Sequence, residues 1–190
     1  MSDLTLGDKA PPFVLPSTEG RKIDLDEFRG IAHVVLYFYP KDDTPGCTKE
    51  ACFFRDAITQ FKQENAVILG VSLDEIDAHQ RFIKKYFLPF PLLSDTDSLV
   101  SRAYGVYKLK SMYGRKFWGI ERSTFLIDVQ GFVRHLFRGV KVDGHIETVL
   151  AALKATMPAA MPKKEKTPKK LRSKLFKSPP KNPKSPPDKK

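Results

Sequence analysis

The sequence predicts an α/β domain, a central sheet with helices on both faces, and three observations support this. His33–Tyr39 (HVVLYFY) and Ala66–Leu73 (AVILGVSL) are short, almost unbroken apolar runs rich in β-branched and aromatic residues, the pattern of strands covered on both sides. Each run leads into a longer stretch whose apolar residues recur at helical spacing. A hairpin and one more helix then close the chain, so the order is that of a sheet layered between helices.

Taken in order, Thr5–Ile23 reads as a small N-terminal hairpin whose limits are blurred by Pro11, Pro12 and Pro16. After the first strand, Asp42-Asp43-Thr44-Pro45-Gly46 breaks the apolar run. Thr44 is the expected helix cap, with Pro45 at the first helical position, where its missing N–H costs nothing. This helix is expected to reach about Glu64, with Cys47, Ala51, Phe54, Ile58 and Phe61 on one face. Ile76 to Phe87 forms the next helix, with Phe82 and Ile83 on its apolar side. Pro89 and Pro91 frame a short extended segment, Phe90–Leu93, and Asp97–Tyr104 reads as a short helix. Ser123–Val129 and Phe132–Phe137, joined by the Gln130-Gly131 turn, form a hairpin. A last helix runs from Asp143 to about Met157 with Ile146, Leu150 and Leu153 as its buried stripe. No internal repeat is visible.

The chain has 190 residues and a formal charge of +11, but the charge is concentrated at one end. Residues 158–190 hold 12 basic and 2 acidic residues, leaving residues 1–157 at +1. The sequence therefore divides into a near-neutral globular domain, 1–157, and a basic C-terminal tail, 158–190. A compact nucleic-acid-binding domain would carry its excess basicity in the folded part. The tail holds 8 of the 15 prolines, and its largest apolar side chains are Leu171, Leu175 and Phe176, too few to offset the entropy of ordering it. It is expected to be disordered. No apolar run approaches the roughly 18 residues needed to span a bilayer, and MSDLTLGDKAPPF does not resemble a signal peptide. A cytoplasmic, reducing location follows as the expectation, and there two close cysteines are more often chemical than structural.

Cys47 falls in the first turn of a helix that directly follows a buried strand. Unpaired N–H groups and the helix dipole favour negative charge there. With a cationic neighbour, the thiol is expected to ionise below the ordinary value near 8.5. Thr44, three residues earlier, offers a hydroxyl able to donate to and accept from a peroxide. Arg122 begins the strand Ser123–Val129. If that strand pairs in the central sheet, its guanidinium comes near Cys47 and stabilises both the thiolate and the charge on a departing oxygen. The product would be a sulfenic acid.

Cys52 lies five residues further on, which in an intact helix separates the Cα atoms by roughly 8.7 Å. A disulfide needs about 4.4–6.8 Å, so the two can join only if the first turns unwind. An external dithiol would then reduce the bond. The plainer readings are that Cys47 is a small buried hydrophobe and that Cys52, off the main apolar face, is incidental. Arg122 on its own would be read as a solvated surface residue as readily as a catalytic one.

The segment YFYPKDDTPGCTKEACFFRD resembles the active-site region of the peroxiredoxins, nearest to the bacterioferritin-comigratory and peroxiredoxin Q branch of the AhpC/TSA superfamily. The motif reads Pro40, Thr44, Cys47, and a second matching block, GIERSTFLID, contains Arg122. The resemblance covers roughly residues 3–155. It implies a thioredoxin-like fold with a central mixed sheet flanked by helices, and an antioxidant thiol peroxidase acting on hydrogen peroxide and organic hydroperoxides. It makes Cys47 the peroxidatic cysteine, Cys52 the resolving one, Pro40 a shield over the pocket, and Thr44 and Arg122 the activating pair. It further implies that Glu50 helps to position the arginine, that thioredoxin or a similar dithiol is the reductant, and that the chain is a monomer.

Other signals are weaker. A thioredoxin-type oxidoreductase would use Cys-x-x-Cys, whereas four residues intervene here. His33, His79, His135 and His145 show no metal-ligand spacing, and His33 and His135 read as structural or exposed. Trp118 and Tyr113 either rim the active-site mouth or simply pack. No glycine cluster forms a dinucleotide site, so no cofactor is expected. The tail, with Thr-Pro and Ser-Pro steps beside lysines, suits non-specific nucleic-acid contact, and in a nucleated cell a nuclear-import patch. Anionic lipid is another candidate, and a solvated appendage without a partner the plainest one. The alternative for the whole chain is a nucleic-acid-associated or DNA-protecting protein whose peroxidase activity is secondary or absent.

Overall fold

Every side chain from 33 to 38 and from 66 to 72 is interior, so these two runs can only be central strands with both faces covered. The computed structural model describes residues 4–112 and 114–156; the basic segment 158–190 lies outside them. The strands are β1 (Val14–Pro16), β2 (Lys22–Asp24), β3 (His33–Phe38), β4 (Ala66–Ser72), β5 (Leu92–Ser94), β6 (Tyr107–Met112), β7 (Arg115–Ile120), β8 (Ser123–Ile127) and β9 (Val133–Arg138). The helices are α1 (Pro45–Asp56), α2 (Ile58–Gln63), α3 (Ile76–Tyr86), α4 (Leu99–Ala103) and α5 (His145–Thr156), with a 3₁₀ turn at Leu25–Phe28.

The central sheet has the order β5-β4-β3-β8-β9. β3, β4 and β5 run parallel, and β8 and β9 run antiparallel to their neighbours, which makes the sheet mixed. Side chains alternate along β3. Val35 and Tyr37 face a core built with Phe54 and Phe61 of α1 and α2, Phe82 of α3, and Val149 and Leu153 of α5. Val34, Leu36 and Phe38 face the other core, closed by Phe13 and Ile23 of the N-terminal hairpin, Phe28 of the 3₁₀ turn and Tyr104 after α4. The second face is thus covered mainly by the hairpin and a single short helix.

One expectation needs correction, and one element has no counterpart in the sequence reading. The helix expected to reach Glu64 is two helices, divided at Ala57 (φ −90°, ψ 0°), although Cys47, Ala51, Phe54, Ile58 and Phe61 all remain buried on one side. No proline or glycine marks the break, so the apolar period passes through it unaltered. The β6–β7 hairpin was not anticipated: its alternation is masked by lysines, and only Gly114, at φ 75°, signals its turn. Trp118 lies in β7 and is exposed; Tyr113 lies outside the described residues.

The register determines where the strand ends meet. Phe38 at the end of β3 lies opposite Ser123 at the start of β8. The chain leaving β3 toward α1 therefore runs beside the residue that precedes β8, Arg122. Gly70 of β4 packs beneath this region: a Cβ there would lie 2.6 Å from Leu92 Cδ2 and 2.7 Å from Tyr37 Oη. Gly70→Ala is accordingly expected to destabilise the fold by about 1–3 kcal/mol in urea denaturation, the usual cost of overpacking a filled core.

Candidate active site

Thr44 is extended (φ −89°, ψ 150°), and its carbonyl accepts the Thr48 N–H at 2.8 Å, so α1 starts immediately after it with Pro45. Its hydroxyl does not cap the helix as expected. It donates instead to the Lys41 carbonyl at 3.0 Å, leaving its lone pairs available. Cys47 follows in the first turn, buried, and its Sγ accepts from Arg122 Nη2 at 3.2 Å. Arg122 Nη1 donates to Glu50 Oε2, one turn further along α1. Gly46 leaves room for this cluster, since a Cβ would sit 3.3 Å from Arg122 Nη2.

Burial lifts the Glu50 carboxyl to about 7 despite the nearby guanidinium, and its Oε1 has no hydrogen-bond partner among the described residues. Burial alone would lower Arg122, but Glu50 and the Cys47 sulfur outweigh it and hold the guanidinium firmly charged. A second cation stands near: Lys110 Nζ donates to the Ile120 carbonyl, and burial, reinforced by Arg122, lowers its pKa. Cys52 is half-buried on the same helix and unbonded to Cys47. Burial pushes its thiol up, with Asp56 adding to the shift and Arg55 opposing it. Pro40 is exposed at the end of the strand.

The sequence reading missed the groups that hold the loop before Cys47. Asp42 is buried, accepts the Tyr39 hydroxyl at 2.7 Å, and lies 2.7 Å from His79 Nδ1, while its N–H donates to Asp74 at 2.8 Å. Asp43, at φ 55°, accepts from Lys85 at 2.7 Å and from the Tyr86 hydroxyl at 2.6 Å. These contacts tie the loop to α3 across 37 to 43 residues of sequence, beyond the reach of any local motif. His145 was not singled out either. Its Nε2 lies 2.8 Å from Thr124 Oγ1, its ring meets Phe54 and Phe137 edge-on, and burial together with Arg122 lowers it to about 4. His33 is buried as expected for a structural residue, and His135 packs on Phe137. Among the described residues no group of three His, Cys, Asp or Glu could hold a metal ion, and no helix is long and apolar enough to cross a membrane.

Residues 6–136 match the AhpC/TSA family. Peroxiredoxin Bcp of Bacillus subtilis is 46% identical over 151 residues, 80% of this chain and 96% of that one. A bcp-type protein of Coxiella burnetii is 52% identical over 150 residues, 79% of this chain and 99% of its own. Among solved structures, peroxiredoxin Q of Xanthomonas campestris superposes with a TM-score of 0.73 at 45% identity, covering 78% of this chain and 92% of that one.

The Glu50 shift makes a signed prediction. Its folded pKa, about 7, lies above its ordinary 4.5, so its contribution to stability is full below 4.5 and is lost as pH rises through 7. Chemical denaturation from pH 4.5 to 8 should show this decline, on the order of 3 kcal/mol at most, and Glu50→Gln should flatten it. His145 acts with the opposite sign, its contribution being full above 6.5 and lost as pH falls toward 4. His145→Phe should remove that acid-side loss in the same titration.

Proposed function

The chain belongs to the AhpC/TSA family, in its Bcp and peroxiredoxin Q branch, and from that premise we propose that Cys47 is the peroxidatic cysteine and Cys52 the resolving one. The protein is a thioredoxin-dependent thiol peroxidase. The observation that supports the residue assignment is the 3.2 Å contact from Arg122 Nη2 to the Cys47 sulfur at the opening of α1. A permanently charged donor and a helix N-terminus both favour the sulfur anion, the form that attacks.

The thiolate attacks one oxygen of the hydroperoxide. The sulfur–oxygen bond forms as the oxygen–oxygen bond breaks, and the departing oxygen takes a proton and leaves as water or an alcohol. Arg122 stabilises the charge that develops on that oxygen. Thr44, with its proton committed to Lys41, accepts the hydroperoxide O–H and orients it. Glu50 fixes the plane of the guanidinium, and Pro40 borders the entrance. Cys47 is left as a sulfenic acid.

Cys52 then attacks that sulfur, expelling water and forming the disulfide. In the intact helix this cannot occur, because the two Cα atoms stand roughly 8.7 Å apart. Burial also keeps Cys52 in its less nucleophilic thiol form. Opening the first turns of α1 removes both obstacles together. A dithiol such as thioredoxin restores the two thiols by exchange.

Intact-mass measurement after one equivalent of hydrogen peroxide should show loss of two hydrogens in the wild type, mapped to a Cys47–Cys52 disulfide. Cys52→Ala should retain an oxidised Cys47, and Cys47→Ser should abolish turnover. Arg122→Met is expected to slow oxidation by about 10²–10³-fold, the range for removing one donor to a developing anion. Turnover surviving in Cys47→Ser would refute the assignment.

A further inference from the structure

The hairpin formed by β6 and β7 is a sheet of its own, separate from the central one. Leu109 and Trp118 are register partners and share one face, while Lys110 and Phe117 share the other. Leu109, Phe117 and Trp118 remain 52%, 42% and 56% exposed, so large apolar side chains meet solvent on both faces of the arm. Leu109 and Trp118 form an exposed apolar pair on one face, with Phe117 exposed on the opposite face, and exposed apolar surface of this kind marks an interaction site. Residues 107–120 also carry Lys108, Lys110, Arg115 and Lys116 and no acidic residue. Lys108 reaches Glu121 at 3.0 Å, whereas no carboxylate of the described residues pairs with Arg115 or Lys116. At the root of the arm Trp118 stacks on Tyr107 (centroids 5.5 Å apart, 19° between planes), and the Arg102 guanidinium lies 4.4 Å from the Tyr107 ring.

We infer that this arm is a docking surface for an anionic lipid bilayer. Three chemistries occur together on it, and a bilayer surface satisfies all three: the acyl boundary accepts Leu109 with the Trp118 indole beside it and, on the opposite face, Phe117, while lipid phosphates accept Arg115 and Lys116. Nucleic acid would account for the cations and the indole but leaves the Leu109 side chain without a partner. A second copy of the chain would set an identical all-positive arm against the first, which like-charge repulsion opposes.

The arm also lies next to the reaction centre. Lys110 is bonded to the Ile120 carbonyl, and Arg122 follows two residues later with its guanidinium on the Cys47 sulfur. A docked arm therefore brings the site's entrance to the lipid surface, within reach of hydroperoxides formed there. That last consequence rests on the peroxidase reading, whereas the attachment does not.

Trp118 is the only tryptophan in the chain, so its emission reports on the arm alone. The full chain, reduced and without peroxide, is titrated with phosphatidylcholine vesicles, with vesicles containing phosphatidylglycerol, and with duplex DNA. The expected result is a blue shift on the anionic vesicles only, with quenching by brominated acyl chains. Leu109→Glu and Phe117→Glu should each weaken vesicle binding roughly tenfold or more, the effect of losing one buried large apolar side chain, with hydrogen peroxide turnover retained as proof of folding. Unchanged emission on anionic vesicles overturns the proposal, even if the protein co-sediments with them, because attachment is then through the tail. So does wild-type binding by the glutamate variants, or an equal Trp118 response to DNA.

Discussion

Phe38 lies opposite Ser123, and this registration of β8 against β3 brings Arg122 to the helix that β3 leads into. A slip of one residue would turn Phe125 and Ile127 from one core toward the other. It would also move the guanidinium off the Cys47 sulfur. The two apolar cores therefore hold the reaction centre in place as well as the fold, since the residues that fix the pairing, Leu36 and Phe125 among them, are fully buried. The chemistry is positioned by packing that has no chemical role of its own.

At that point the protein holds charges that burial disfavours. Glu50 is fully enclosed with one oxygen unpartnered among the described residues, and Arg122 is shared between a carboxylate and a sulfur. Such a cluster is stable only while the surrounding elements keep it assembled. The first turn of α1 is one of those elements, and it also separates the two cysteines. On the proposed assignment, activating Cys47 and withholding Cys52 are in this way two effects of the same helical turn.

Much of this was legible in the sequence, for identifiable reasons. The buried strands declared themselves because both faces are covered, and Thr44, Pro45 and Cys47 declared the helix start because the relevant physics is local. The contact between Arg122 and Cys47 could be stated only conditionally, since a contact across 75 residues that depends on sheet pairing leaves no local trace. The Asp42–His79 contact and the packing of His145 against Phe54 were invisible for the same reason: each joins residues far apart in the chain whose neighbours look ordinary. The break at Ala57 escaped notice because the apolar stripe continues through it. The β6–β7 arm escaped because it does not follow the rule that apolar side chains turn inward. The sequence rules read burial, and this element is apolar where it is exposed.

Asp42 is moored to α3 and to Asp74 in the loop after β4 on one side of α1, and α2 is packed into the core on the other, so the helix between them has fixed ends. Twelve residues coiled as a helix span only about 18 Å, whereas the same residues drawn out reach about 40 Å. When turns are lost, the extra chain has no direction to go but outward, so it bows into solvent as a loop. A disulfide made in that loop is presented on the outside of the molecule, where a reductant as large as another protein can reach it. Re-coiling after reduction then returns the sulfur to its enclosed seat without disturbing either mooring.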